Sequence, residues 1–109
     1  RTQLAAARAA FVQVVDSIAA NGKRDPNAAF AGSVPYLMLA GNLAAGWQLA
    51  RSLLAAQALL AQGEDIDFMQ AKITTARFYA EHILPRCAAL RDAVLGGAES
   101  VMALPVDAF

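Results

Sequence analysis

The apolar positions of the first twenty residues fall on one side of a helix. Leu4, Phe11, Val15 and Ile18 recur at helical spacing, with Gln13, Asp16 and Ser17 opposite them. The pattern predicts an outer helix over Thr2–Asn21 that needs cover on one face only. Asn21-Gly22 reads as its stop, the glycine being free to take the left-handed conformation that closes a helix. The connection from Gly22 to Ser33 contains Asp25-Pro26, the signature of a short helical turn with Asp as cap and Pro in the first turn, and Gly32 ends it. Phe30 is the one large apolar residue of this connection and is expected to pin it to the core.

A second helix is predicted from about Pro35 to about Gln62, with Ser33 or Val34 at its cap and Gly63 as its stop. Leu37, Leu39, Leu43, Trp47, Leu49, Leu53, Leu54, Leu59 and Leu60 spread around much of its axis, and Gln48, Arg51, Ser52 and Gln62 mark a narrow polar strip. Such a helix is expected to be enclosed on most sides. Gly41, Ala45, Gly46 and Ala50 would let a neighbour approach closely. The run is long enough to suggest a membrane span, but Asn42, Gln48, Arg51, Ser52 and Gln57 interrupt it. Arg51 near its middle would cost about 2.5–3.5 kcal/mol on insertion, so no span is expected.

The segment from Asp65 to Leu95 carries the cleanest pattern. Met69, Ile73, Ala76, Ala80, Ile83, Cys87, Leu90 and Val94 recur at alternating steps of four and three, the seam of packed antiparallel helices. Asp65 or Asp67 is expected to cap it. Pro85 removes one backbone hydrogen bond and crowds the Glu81 carbonyl, yet the apolar phase runs on unbroken. One kinked helix, or two nearly continuous ones, is therefore predicted. Gly96-Gly97 ends it, and Ala98–Leu104 reads as a last short helix stopped by Pro105. No stretch alternates with period two. The fold class is all-α: an up-down bundle of three long helices, the third kinked at Pro85, plus short helical pieces, in a single domain over residues 1–109.

Composition changes this picture in one respect. Hydrophobic residues make up 58% of the 109, and charged residues only 17%, against usual figures of about 45–50% and about 25%. The surplus implies an interface with further protein, and self-association of the piece by itself. Nine basic and nine acidic residues cancel, so no footprint for nucleic acid is expected. The single cysteine, Cys87, rules out an internal disulfide and suits a reducing, cytoplasmic setting. The chain begins at Arg1 rather than Met and is expected to be a fragment or processed product; no signal peptide is read.

Chemistry is hard to assemble from these residues. His82 is the only histidine, and Glu81 beside it suggests an acid/base pair. Neighbours on a helix point about 100° apart, however, so the two do not face each other. His82 is better placed to bond a carbonyl freed by the Pro85 kink or to sit at a domain contact. Cys87 lies on the apolar seam, where a buried thiol acts as a small hydrophobe. Glu64, Asp65 and Asp67 lack the spacing of a calcium loop and read as capping residues. Gly41 and Gly46 lie inside a helix and make no phosphate loop. Arg77 and Glu81 are spaced for an ion pair worth a few tenths of a kcal/mol. Trp47, Phe68, Phe78 and Tyr79 read as core or interface. No catalytic, cofactor-binding or metal-binding residue is assigned.

Three stretches nevertheless resemble one known domain. They are Tyr36-Leu37-Met38-Leu39-Ala40-Gly41-Asn42-Leu43-Ala44-Ala45-Gly46-Trp47, the run from Ala71 to Arg86 with its Arg77-Phe78-Tyr79-Ala80-Glu81-His82-Ile83-Leu84-Pro85 centre, and the closing Val101–Phe109. Together they resemble the helical C-terminal domain of bacterial acyl-CoA dehydrogenases, in the 3-methylmercaptopropionyl-CoA dehydrogenase-like branch. The likeness extends from about Ala28 to Phe109 and fits the first helix loosely. The resemblance implies a parent flavoprotein, an oxidoreductase that uses FAD to dehydrogenate the α,β bond of an acyl-CoA thioester. It implies that the base and the flavin contacts lie in upstream domains, so this chain alone is expected to be inactive. Its expected partners are those upstream catalytic domains and further copies in a homo-oligomer. The alternative is an independent helical oligomerisation module with no enzymatic role, and a small four-helix ligand binder lacks the convergent polar groups it would need.

Overall fold

The structure is a computed structural model and describes residues 2–109. Six α-helices follow one another: α1 Thr2–Asn21, α2 Pro26–Ala31, α3 Ser33–Ala61, α4 Ile66–His82, α5 Arg86–Gly96 and α6 Ala98–Val101, with a short 3-10 turn over Val106–Ala108. α1 closes at Gly22, whose N–H donates to the Ile18 carbonyl; the expected left-handed glycine is instead Gly63, at φ +75°. There, Gly63 N–H bonds the Leu60 carbonyl and Glu64 N–H bonds the Leu59 carbonyl, which closes α3 in a Schellman motif. α2 forms as its caps dictate, with the Asp25 carboxylate accepting from Ala28 N–H at 3.2 Å and Pro26 in the first turn.

The third segment is two helices with a break at Ile83–Pro85. Ile83 and Leu84 N–H both donate to the Tyr79 carbonyl, and Arg86 N–H donates to that of Ile83. The seam read from the sequence, from Met69 to Val94, is buried or half-buried at every position. The break adds Leu84, which turns inward and is 4% exposed. Asp65 precedes α4 with its backbone left-handed at φ 44°, and its side chain caps nothing. An N-cap carboxylate reaches the first turn from an extended backbone, so this conformation turns it away.

α3 packs along α4 and α5, and α5 also supports α1, so α5 floors both α1 and α3. The core holds Ala7, Val14, Leu39, Leu84 and Cys87, with Phe11 stacked on Tyr36 at 5.9 Å. Val14, not the expected Val15, is the enclosed valine of α1. The Tyr79 hydroxyl donates to the Asn42 carbonyl at 2.8 Å and ties α4 to α3. Gly46 is buried because Leu84 occupies the place of its missing side chain: a Cβ there would stand 2.6 Å from Leu84 Cδ2.

Two expectations fail together. α3 is not enclosed, since Val34, Leu37, Met38, Trp47 and Leu54 are all more than half exposed. Phe30, expected to pin the connection, is 72% exposed; small residues make that contact, with Gly32 closely approached by Val94 of α5. The reason is shape. The molecule measures 66 × 28 × 16 Å, and a helix with its side chains is about 10 Å across, so no helix has neighbours all round. Its radius of gyration is 18.5 Å, against about 13 Å for a compact domain of this length. Its surface of 7574 Å² exceeds the roughly 5,800 Å² expected for its mass.

Candidate functional site

The feature that stands out is an open apolar trough between α1 and α3. The two helices run antiparallel, and on the side away from α5 three hollows follow one another. The first, about 420 Å³, lies between Val15 and Ile18 of α1 and Tyr36 of α3, with Phe30 at its end. The second, about 580 Å³, lies between Leu4, Phe11 and Val12 and Ala40, Leu43 and Trp47. The third, about 330 Å³, continues past Leu4 and Trp47 to Leu54 and Leu84. The stacked Phe11 and Tyr36 form the saddle between the first two.

The helices aim these residues for a simple reason. Tyr36, Ala40, Leu43, Trp47, Ala50 and Leu54 step by four and three along α3, so they share a face. That is the same signal that identified the third segment. In α3 the leucines and alanines on neighbouring faces mask it. The charged residues lining the trough are Arg8 and Arg51. The Arg51 guanidinium lies 5.3 Å over the Trp47 ring, within cation–π range.

The titratable residues do not converge. His82 is exposed and stacks on Phe78, rings 4.6 Å apart, rather than bonding a carbonyl of the kink. Glu81 is exposed, and it forms no ion pair with Arg77; among the described residues the ion pair is Arg91 with Asp92. Cys87 is 1% exposed, and burial pushes its thiol above its ordinary value, which makes it a poor nucleophile. The Tyr79 phenol is likewise raised, first by burial and then by Cys87. Glu64, Asp65 and Asp67 are exposed, and no three ligand side chains among the described residues stand together for a metal. Trp47, Phe68 and Phe78 are more than half exposed, so they are surface rather than core, while Tyr79 is half-buried.

Nor does the residue set fit a flavin. No buried polar or charged side chain stands among the described residues, so nothing here is built to hold an isoalloxazine or a pyrophosphate. The arrangement suits burial of another apolar surface.

Comparison with known proteins places these features. A family model described as acetyl-CoA dehydrogenase C-terminal like matches residues 1–105. The match takes in the whole first helix, earlier than the expected start near Ala28. A 3-methylmercaptopropionyl-CoA dehydrogenase of Ruegeria pomeroyi is 50% identical over 100 residues, 92% of this chain and 17% of that protein. A broad-specificity linear acyl-CoA dehydrogenase of Mycobacterium tuberculosis is 35% identical over 81 residues, 72% of this chain and 13% of that protein. The chain thus spans less than a fifth of the length of either relative. No solved structure matches it.

Proposed function

This chain belongs to the acetyl-CoA dehydrogenase C-terminal-like family, and on that premise we propose that it is the non-catalytic terminal domain of an FAD-dependent acyl-CoA dehydrogenase. It packs on the catalytic body through its apolar faces. The observation that carries this reading is the surface excess, on the order of 1,800 Å² over a compact domain of its mass. One partner contributes only about 800 Å² to a standard interface. The parent removes two hydrogens across the α,β bond of an acyl-CoA thioester, and FAD supplies the redox chemistry from upstream domains. None of the residues here acts on substrate, flavin or metal. His82 and Glu81 lie exposed at the end of α4.

The likeness to two dehydrogenases favours this reading over an independent oligomerisation module. A homo-oligomeric parent belongs to the same proposal: with the trough filled, Val34, Leu37 and Met38 remain as an exposed apolar face for another subunit. No helix among the described residues is long and apolar enough to cross a membrane, in keeping with a cytoplasmic setting. The test compares the complete polypeptide, the same polypeptide lacking these 109 residues, and the 109 residues alone. The complete form is expected to bind FAD and reduce an electron-accepting dye with acyl-CoA. The isolated chain is expected to do neither; tight FAD binding and turnover by it alone would refute the proposal.

A further inference from the structure

We propose that the trough between α1 and α3 seats an amphipathic α-helix from the catalytic body of the same polypeptide, apolar on its buried face and acidic along its flanks. The inference rests on the reading of this chain as a dehydrogenase's terminal domain and adds which face docks and on what.

Three observations carry it. The first is spacing. Tyr36, Ala40, Leu43, Trp47 and Leu54 present the four-three seam of a helix that packs on another helix. Phe11, Val15 and Ile18 face them from α1. With α5 as floor, two antiparallel seams around one open side leave the place of a fourth helix in a bundle. From Leu4 to Ile18 the α1 wall is about 21 Å long, the length of a helix of about 14 residues.

The second observation is charge. The trough's charged residues are Arg8 and Arg51, both cationic, and its lining holds no carboxylate to neutralise them. A second copy placed trough to trough would add two more arginines to the same site, an opposition that interfaces use to reject partners. A helix with Asp or Glu on its flanks neutralises both. The third observation is openness. The hollows line one exposed side of a slab 16 Å thick, whereas a small-molecule site encloses about 70–90% of its ligand. A helix fills such a channel and an acyl chain does not.

The test places a benzoylphenylalanine photocrosslinker at Ala44 in the trough wall, and separately at exposed Gln70 on α4, in the complete enzyme. Mass spectrometry then maps the linked peptides. Ala44 is expected to link to a helical segment of the catalytic body that carries Asp or Glu, and Gln70 is expected not to. Linkage from Ala44 to a second copy overturns the inference. Linkage to the body from Gln70 alone also overturns it, while leaving the terminal-domain reading intact. Linkage to the body from neither position removes both. Reversing the trough charges with Arg8→Glu and Arg51→Glu together is expected to cut the Ala44 yield at least about fivefold at low salt. Arg77→Glu, on α4, is expected to leave it unchanged. Equal yields across the three would overturn the acidic flank.

Discussion

Two glycines five residues apart on α3 should answer the same substitution with opposite signs. Glycine costs about 1 kcal/mol relative to alanine inside a helix. At Gly41 nothing lies within 4 Å of an added Cβ, so Gly41→Ala is expected to stabilise by about 0.5–1 kcal/mol. At Gly46 the new methyl would stand 2.6 Å from Leu84 Cδ2 and 3.3 Å from both Cδ1 and Cγ. Leu84 is 4% exposed and is held between α3 and the seam, with only its edge on the third hollow. It must leave its rotamer, or the turn between α4 and α5 must lift off α3. Overpacking of this kind costs about 1–3 kcal/mol, against a propensity gain of about 1. Gly46→Ala is therefore expected to be neutral to destabilising by about 2 kcal/mol, and to lie about 1–3 kcal/mol below Gly41→Ala. Leu84→Ala alone should cost about 2–5 kcal/mol. In the Gly46→Ala background it should cost less, with a coupling of about 1–2 kcal/mol, because the methyl fills part of the space it vacates. Urea unfolding followed by far-ultraviolet circular dichroism reads all four variants, with an unchanged slope as the control. A Gly46→Ala protein as stable as Gly41→Ala would show that Leu84 does not sit on α3, and the helix order around α5 would have to be redrawn.

Five further outcomes follow from the packing. Leu39→Ala, at a fully buried position, should cost about 2–5 kcal/mol in the same assay. Trp47→Ala, at a side chain 52% exposed, should cost below about 1 kcal/mol, where a core tryptophan would cost about 3–5. Tyr79→Phe removes the hydrogen bond to the Asn42 carbonyl and should cost about 0.5–1.5 kcal/mol by urea midpoint. Cys87 and Tyr79 have raised pKa values in the folded chain, so their neutral forms are favoured there. Stability should hold below the unfolded thiol value of about 8.5 and decline as pH rises through and beyond it. Alkylation of Cys87 at neutral pH should be slower than that of a free thiol, and rapid labelling would mean that the seam is open.

Much of the fold was legible in the residues. Asp25-Pro26 specified α2 because a side-chain cap and a fixed φ are local effects. The four-three seam from Met69 to Val94 survived Pro85 because the break costs only a turn and returns the chain in phase. Leu84 could not be read, since it lies off that seam and is turned inward only by the break itself. The size of Phe30 suggests burial, but Gly32, between α2 and α3, makes the close approach to Val94 of α5, and Phe30 stays exposed. The trough was the hardest to see. On an α3 rich in Leu and Ala every face but the narrow strip of Gln48, Arg51 and Ser52 looks fit for burial, and periodicity alone does not say which faces are left uncovered. The mismatch between 58% hydrophobic content and the length of the chain was the one compositional sign of it.

Hydroxyl-radical footprinting of the 109-residue chain alone and within the complete polypeptide tests the proposed docking of this domain most directly. Trp47, Leu54 and Phe30, all more than half exposed, should be oxidised readily in the chain alone and protected several-fold in the complete polypeptide. Leu39 and Val14, both enclosed, should be protected in each, which certifies the fold. Equal oxidation of the three trough residues in the two forms would mean that the trough stays open to water and that this domain does not dock through it.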